Sequence, residues 1–302
     1  MATKLTATLP CGIWTSLVTP FHEDSSVDFQ TFGALALSQL SAGVNALVVG
    51  ASVGEGSTLH ESEKVELVKM CVAKAGATPV IGSAGHNDTR HAVVLHALMK
   101  QAGAAAALHV TPYYNKPTQE GLYRHFKAIA ESSDLPVVLY NVPSRTGVDL
   151  LPATTLRLAK DFKNIVAIKE SSMDCGRLQN MISDLALARP DFLVLGGEDS
   201  LLLPLLAMGG HGIISTGSNF APEVFCATFN AMTNGDLKEA KKHFAKIAKL
   251  NSLMFMTTNP IPVKTALSFR GLLHNFYRLP LCPLSESDSL WLKAALAEQG
   301  WL

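Results

Sequence analysis

The apolar run Ile165-Val166-Ala167-Ile168 closes on Lys169 and Glu170. A continuous apolar stretch of this kind predicts a strand covered on both faces, so a lysine at its carboxyl end stands at the edge of a dry interior. Partial desolvation favours a neutral amine, the form that adds to a carbonyl and condenses to a Schiff base. A lysine closing a strand more often extends its amine to water, so the reading depends on what converges beside it. Other apolar runs also end on reactive or permissive types: Ser52, Tyr113 and Tyr114, Tyr140 with Arg145 soon after, and the pair Gly196-Gly197. Imine chemistry needs an amine for the ketone, hydroxyls to carry protons to and from the departing oxygen, and donors for a substrate carboxylate. Arginine meets a carboxylate with two parallel bonds. Each residue has a plainer reading as well: tyrosines pack in cores and rims, Arg145 could cap a loop or pair with a carboxylate, and Ser52 and the glycines could only turn the chain. Their coincidence at strand ends is what argues for a site.

Such groups need a scaffold that gathers strand ends. The sequence reads as eight short apolar strands roughly thirty residues apart, near 13–18, 46–50, 79–82, 107–111, 136–140, 165–169, 192–195 and 212–216, each followed by a loop and a helical segment. Helices are expected to start at Asp28, at a Thr58/Glu61 capping box, at Asp88, at Thr118 and at Asp236. Eight such units predict an α/β chain folded as a closed (β/α)8 TIM barrel, with its chemistry where strands run into the following loops. An open doubly wound sheet would show fewer units and a glycine-rich first turn; neither Gly-x-Gly-x-x-Gly nor a Walker A sequence is present. Strands cease after about residue 234. We therefore expect a catalytic barrel over 1–233 and a C-terminal helical extension over 234–302, interrupted at Asn259-Pro260-Ile261-Pro262 and without evident chemistry of its own.

Composition narrows the function classes. The 302 residues are 48% hydrophobic and 17% charged, enough for one large core. Lys plus Arg and Asp plus Glu both number 25, so no basic field exists for nucleic acid or an anionic membrane, and an apolar chain without net charge points to surface buried in an oligomer. The five scattered cysteines contain no Cys-x-x-Cys, which argues against a disulfide framework or zinc site and fits a reducing compartment. No secretory leader or membrane-spanning run is evident, so a cytoplasmic enzyme is expected. His86, His91 and His96 are five residues apart, a spacing that does not stack two metal ligands on one helix face; His91 and His96 are assigned to a solvated helix.

Taken together, Val18-Thr19-Pro20-Phe21, Gly54-Glu55, the run from Val110 through Pro117, Tyr140-Asn141-Val142-Pro143-Ser144-Arg145-Thr146-Gly147, Ile168-Lys169-Glu170, Gly209-Gly210-His211-Gly212 and Asn259-Pro260-Ile261-Pro262-Val263-Lys264 resemble the dihydrodipicolinate synthase / N-acetylneuraminate lyase family of pyruvate-dependent aldolases. The resemblance spans nearly the whole chain. Arg145 in its Ser-Arg-Thr-Gly context resembles the synthase branch, since the sialate lyases lack that arginine. The resemblance implies that Lys169 forms the Schiff base with pyruvate, Tyr140 relays protons, Tyr114 joins a hydroxyl relay in a neighbouring subunit's site, and Arg145 holds the carboxylate of L-aspartate 4-semialdehyde. It further implies that Gly197 and Ile214 border the site, that the product is 4-hydroxy-tetrahydrodipicolinate for lysine and diaminopimelate biosynthesis, that neither metal nor organic cofactor is needed, and that the assembly is a homotetramer, a dimer of dimers. A sister aldolase acting on a sugar-derived 2-keto acid, or a barrel that has lost turnover, are the competing readings.

Two departures stand out. The family's strand-two loop reads Gly-Thr-Thr-Gly-Glu; aligned on Gly54-Glu55, Ser52 replaces the relay threonine and Val53 the threonine that helps hold the pyruvate carboxylate. Serine keeps a hydroxyl, whereas valine removes one hydrogen bond to an anion, worth roughly 1.5–3 kcal/mol. Where lysine-inhibited relatives carry His and Glu at the feedback site, this chain has Lys64 and His91. Two potential cations oppose a bound ammonium, so insensitivity to lysine is expected, and inhibition by sub-millimolar lysine in a coupled assay would refute it.

Overall fold

Successive side chains of a strand point to opposite faces, and in a closed barrel those faces are the interior and the helix-covered outside. The computed structural model describes residues 9–302. Its strands β1 (Gly12–Ser16), β2 (Ala46–Val49), β3 (Val80–Ser83), β4 (Ala106–Val110), β5 (Val137–Asn141), β6 (Ile165–Glu170), β7 (Leu193–Gly196) and β8 (Gly212–Ser215) form a closed parallel barrel in sequence order, with β8 pairing back onto β1. Trp14, Val48, Ile81, Leu108, Val138 and Ile214 fill the interior. Their neighbours Ile13, Leu47, Val49, Val137, Leu139 and Val194 face the helical layer. Trp14 is wholly buried and its indole N–H donates to the Pro10 carbonyl at 2.9 Å; burying a ring of this size in place of a methyl stabilises by roughly 3–5 kcal/mol.

The outer layer holds α1 (Phe29–Ser41), α2 (Glu61–Ala75), α3 (Thr89–Gln101), α4 (Gln119–Ser132), the single turn α5 (Pro143–Thr146), α6 (Pro152–Asp161), α7 (Cys175–Ala188), α8 (Leu202–Ala207) and α9 (Pro222–Thr233). Side chains of Asp28, Asp88, Thr118 and Asp174 accept first-turn N–H groups of α1, α3, α4 and α7, each cap worth about 1 kcal/mol. The expected capping box at Thr58/Glu61 is corrected. α2 begins at Glu61 after His60, and Glu63 accepts the His60 N–H at 2.8 Å. Thr58 instead turns back to donate to the Glu55 carbonyl at 3.0 Å, because the preceding loop is longer than the residue types suggested.

β6 carries an irregularity that sets which residues face in. Val137 of β5 pairs with Ile165, but the next residue, Val138, pairs with Ala167, so Val166 is extra. From there Tyr140 stands opposite Lys169 and Asn141 opposite Glu170. Tyr140 and Lys169 share the inward parity of Val138 and Ala167, while Asn141 and Glu170 share the outward parity of Leu139 and Ile168.

Three more helices follow: α10 (Leu237–Met254), α11 (Ile261–Phe269) and α12 (Glu286–Glu298). Ile247, Leu250, Val263, Leu267, Leu292 and Leu296 from them join the apolar cluster that contains Leu17, Phe21 and Phe32 near the barrel. His96, assigned above to a solvated face, is wholly buried: α3 turns it toward β4, where its Nδ1 lies 3.0 Å from His109 Nε2. A partner on the strand beneath decided its environment, and helix periodicity alone did not reveal that partner.

Candidate active site

The inward parity brings Lys169 and Tyr140 side by side at the carboxyl end of the barrel, 4% and 6% exposed. The Lys169 amine lies over the Tyr140 ring, 4.4 Å from its centroid, where the ring's electron-rich face attracts a cation. Gly197, just past β7, leaves space for that amine. A Cβ there would fall 1.9 Å from Ser171 Oγ and 3.0 Å from Lys169 Cε, so any side chain would displace the lysine arm. The Gly197 N–H is held by the Glu170 carbonyl at 2.8 Å.

Two carboxyl groups follow this glycine, and the sequence reading assigned them no role. Asp199 is 1% exposed, and its Oδ2 accepts the Gly217 N–H at 2.6 Å. Burial raises its pKa, against the hydrogen bonds from Ser215 and Gly217 and the charge of Lys169. Glu198 is partly buried; burial raises it too, Lys169 and Arg145 pull it down, and adjacent Asp199 pushes it up. Among the described residues, Asp199 Oδ1, Ser171 Oγ and Asn259 Oδ1 are buried without hydrogen-bond partners. Native proteins rarely leave such atoms unpaired, and here three of them lie around the lysine end of the barrel.

Arg145, on α5, is exposed, and its guanidinium donates to the Asn259 carbonyl at 3.3 Å. The Asn259 amide in turn donates to Thr216 Oγ1, also at 3.3 Å. Through Asn259 the C-terminal segment thus reaches Arg145 and Thr216 at the mouth of the barrel. The run Asn259-Pro260-Ile261-Pro262-Val263-Lys264 was the available signal. Ile214 is wholly buried in the interior cluster with Trp14 and Tyr140.

The remaining candidates make no hydrogen bond to Lys169 or Tyr140 among the described residues. Ser52 is partly exposed, and its carbonyl accepts the Glu55 N–H at 3.1 Å. Val53 is 2% exposed and belongs to the apolar cluster of Leu17 and Phe21. Tyr114 is 89% exposed with φ +74°, a left-handed conformation that costs a residue with a Cβ roughly 1–2 kcal/mol. Its side chain projects from its own subunit. His91 Nε2 pairs with Glu61 Oε1 at 3.0 Å, and Lys64 is only partly exposed.

Two polar networks brace the mouth. Behind β5 and β6, Glu170 accepts from Asn141 at 3.0 Å, from the Ser172 N–H at 2.8 Å and from Arg177, which also clasps Asp149. Behind the β2 loop, the wholly buried Lys264 amine donates to Glu55 Oε1 and to the Phe276 carbonyl at 2.7 Å. The Arg278 N–H meets Glu55 Oε2 at 3.2 Å, and its guanidinium grips Glu63 at 2.6 and 2.7 Å. Burial raises the Glu55 pKa and lowers that of Lys264, each toward the neutral form, while their mutual attraction opposes both shifts.

A closed (β/α)8 barrel with a buried lysine beside a tyrosine at its reactive end is the make-up of a barrel lyase. The chain belongs to the dihydrodipicolinate synthetase family, whose model matches residues 9–299. It is 43% identical over 290 residues to a 4-hydroxy-tetrahydrodipicolinate synthase of Maridesulfovibrio salexigens, covering 96% of this chain and 98% of that one. Among solved structures it resembles dihydrodipicolinate synthase from Thermotoga maritima, with a TM-score of 0.95, 42% identity and coverage of 97% and 100%. It also resembles the chloride-inhibited enzyme from Acinetobacter baumannii complexed with pyruvate, with a TM-score of 0.92, 40% identity and coverage of 97% and 99%.

Proposed function

We propose that this enzyme condenses pyruvate with L-aspartate 4-semialdehyde to give 4-hydroxy-tetrahydrodipicolinate. The observation that carries the reading is the buried Lys169 amine over the Tyr140 ring, with the space at Gly197 kept open beside it. Lys169 adds to the pyruvate ketone, and loss of water leaves an iminium. Loss of a methyl proton gives an enamine, whose terminal carbon attacks the aldehyde of the second substrate. The substrate's own amine then adds to the iminium carbon, the bond to Lys169 breaks, and the ring closes. Tyr140 carries protons to and from the oxygen that leaves, with Ser52 and a neighbouring subunit's Tyr114 completing the hydroxyl relay. Arg145 holds the semialdehyde carboxylate, and the backbone at Gly197 and Ile214 borders the bound pyruvate. The extreme exposure and left-handed backbone of Tyr114 support a homotetramer in which that side chain enters a neighbour; sedimentation of the wild-type protein as an active monomer would remove Tyr114 from the relay.

The test is borohydride reduction in the presence of pyruvate, followed by peptide mass analysis. A pyruvyl adduct on the Lys169 peptide, absent from Lys169→Ala, together with consumption of the semialdehyde by the wild type alone, is the expected result. A wild type that acquires no adduct would overturn the reading.

A further inference from the structure

We propose that Glu55, clamped by Lys264, is a positioning residue that aims the Ser52 hydroxyl into the proton relay. This rests on the reaction proposed above, in which Ser52 is one of the hydroxyls that carry protons. The β2 loop is a tight return: the Gly56 N–H donates to the Ala51 carbonyl at 3.0 Å, and the Glu55 N–H donates to the Ser52 carbonyl at 3.1 Å. A Cβ on Gly56 would fall 1.9 Å from the Gly50 carbonyl oxygen, so the two ends of the loop touch. Glu55 stands in this turn at φ +52°, a left-handed conformation that a residue with a Cβ keeps only where its surroundings hold it. The groups that hold it come from the far end of the chain. The Glu55 carboxylate, 2% exposed, accepts from the Lys264 amine and from the Arg278 N–H at 3.2 Å. Lys264, on α11, is itself fixed: its amine lies 4.6 Å from the ring centroids of both Phe21 and Tyr277 and donates to the Phe276 carbonyl at 2.7 Å. A buried ion pair adds little net stability over apolar residues of the same size, and its use here is geometric. The side chain and backbone of one residue join the C-terminal segment to Ser52, which gives the run from Asn259 to Lys264 a task in the chemistry.

The experiment is a mutant cycle on the full-length protein, read as kcat for the semialdehyde at saturating pyruvate. Its variants are Ser52→Ala, the uncharged pair Glu55→Gln/Lys264→Met, and the three changes together. Borohydride trapping of pyruvate on Lys169, carried to completion, reports that each is folded with a working nucleophile. Ser52→Ala and the uncharged pair are each expected to lower kcat by about tenfold or more, with the KM for the semialdehyde within about twofold of wild type. The triple variant should be no more than about twofold slower than Ser52→Ala, because a group that acts through Ser52 has nothing left to aim. Losses that multiply in the triple variant, or an uncharged pair as fast as wild type, would overturn the proposal. Should the uncharged pair fail to trap pyruvate, Glu55→Asp takes its place in the cycle with the same expectations; it keeps both charges and draws the carboxylate back by one methylene. A Ser52→Ala enzyme as fast as wild type would remove Ser52 from the relay and the proposal with it, whereas a wild type that traps no pyruvate would overturn the reaction itself.

Discussion

The barrel mouth and the bracing network behind the β2 loop are both made of buried charge, yet they are built by opposite rules. In the network, Lys264, Glu55, Arg278 and Glu63 saturate one another. At the mouth, Asp199 Oδ1, Asn259 Oδ1 and Ser171 Oγ are left unpaired around a lysine whose neighbour is the face of a ring. Paired charge holds a loop in place; unpaired polar atoms cost stability and are kept where a ligand completes them. The difference separates a region built for rigidity from one left open to a ligand.

The largest effect should come from breaking the paired region. Lys264→Ala leaves Glu55 buried without its counter-ion and is expected to destabilise the fold by about 3–5 kcal/mol, measured by urea unfolding. If stability were unchanged, the contrast between the two regions would collapse. At the mouth, Tyr140→Phe keeps the ring under the Lys169 amine and removes only the hydroxyl. It should lower kcat by about a hundredfold or more with little change in the unfolding midpoint; an equal loss of stability would make Tyr140 a packing residue.

A third set of buried polar atoms tests the rule with neutral groups. His96, His109 and His125 lie between β4 and helices α3 and α4, and His96 Nε2, His109 Nδ1 and His125 Nε2 have no partner among the described residues. Burial pushes His96 and His125 down to about 4 and His109 well below its usual value. Lys100 and Asp134 act on His96, and Asp88 and His86 on His125. In these depressed cases the unfolded chain takes up protons first. Their stabilising contribution is therefore complete above the unfolded pKa near 6.5 and is lost as pH falls through about 4. Within that window each histidine should cost about 1.4 kcal/mol per pH unit. Urea midpoints measured across it should fall more steeply for wild type than for His125→Gln.

The smallest effect concerns Val53. A threonine hydroxyl there would have to turn from the apolar cluster toward the mouth, so Val53→Thr should gain only about 0.5–1.5 kcal/mol of pyruvate binding, read as a modest fall in KM. An unchanged KM would mean that backbone or water already serves the carboxylate.

Most of the scaffold was legible because strands covered on both faces leave unbroken apolar runs, and Lys169 and Tyr140 close two of them. Asp199 was not, because a loop carries it and only closure of the barrel brings it against Gly217; Asn259 was visible only as part of the proline-containing run that interrupts the C-terminal helices. Val53, aligned on a position where the family carries a carboxylate-holding threonine, packs in the apolar cluster of Leu17 and Phe21 in the fold. His96 was misplaced for a related reason: whether a helical histidine is wet depends on what the strand beneath it offers.

Lys169 and Glu170 are adjacent in sequence yet have different surroundings, one lying over the Tyr140 ring in the barrel interior and the other meeting Asn141 and Arg177. The same holds for Tyr140 and Asn141 across the register. Two short strands therefore carry two patterns in alternate residues, one turned to the barrel interior and one to the bracing network. Each can be rewritten without touching the other, which makes the end of the β5–β6 pair a natural place for new chemistry on an unchanged frame.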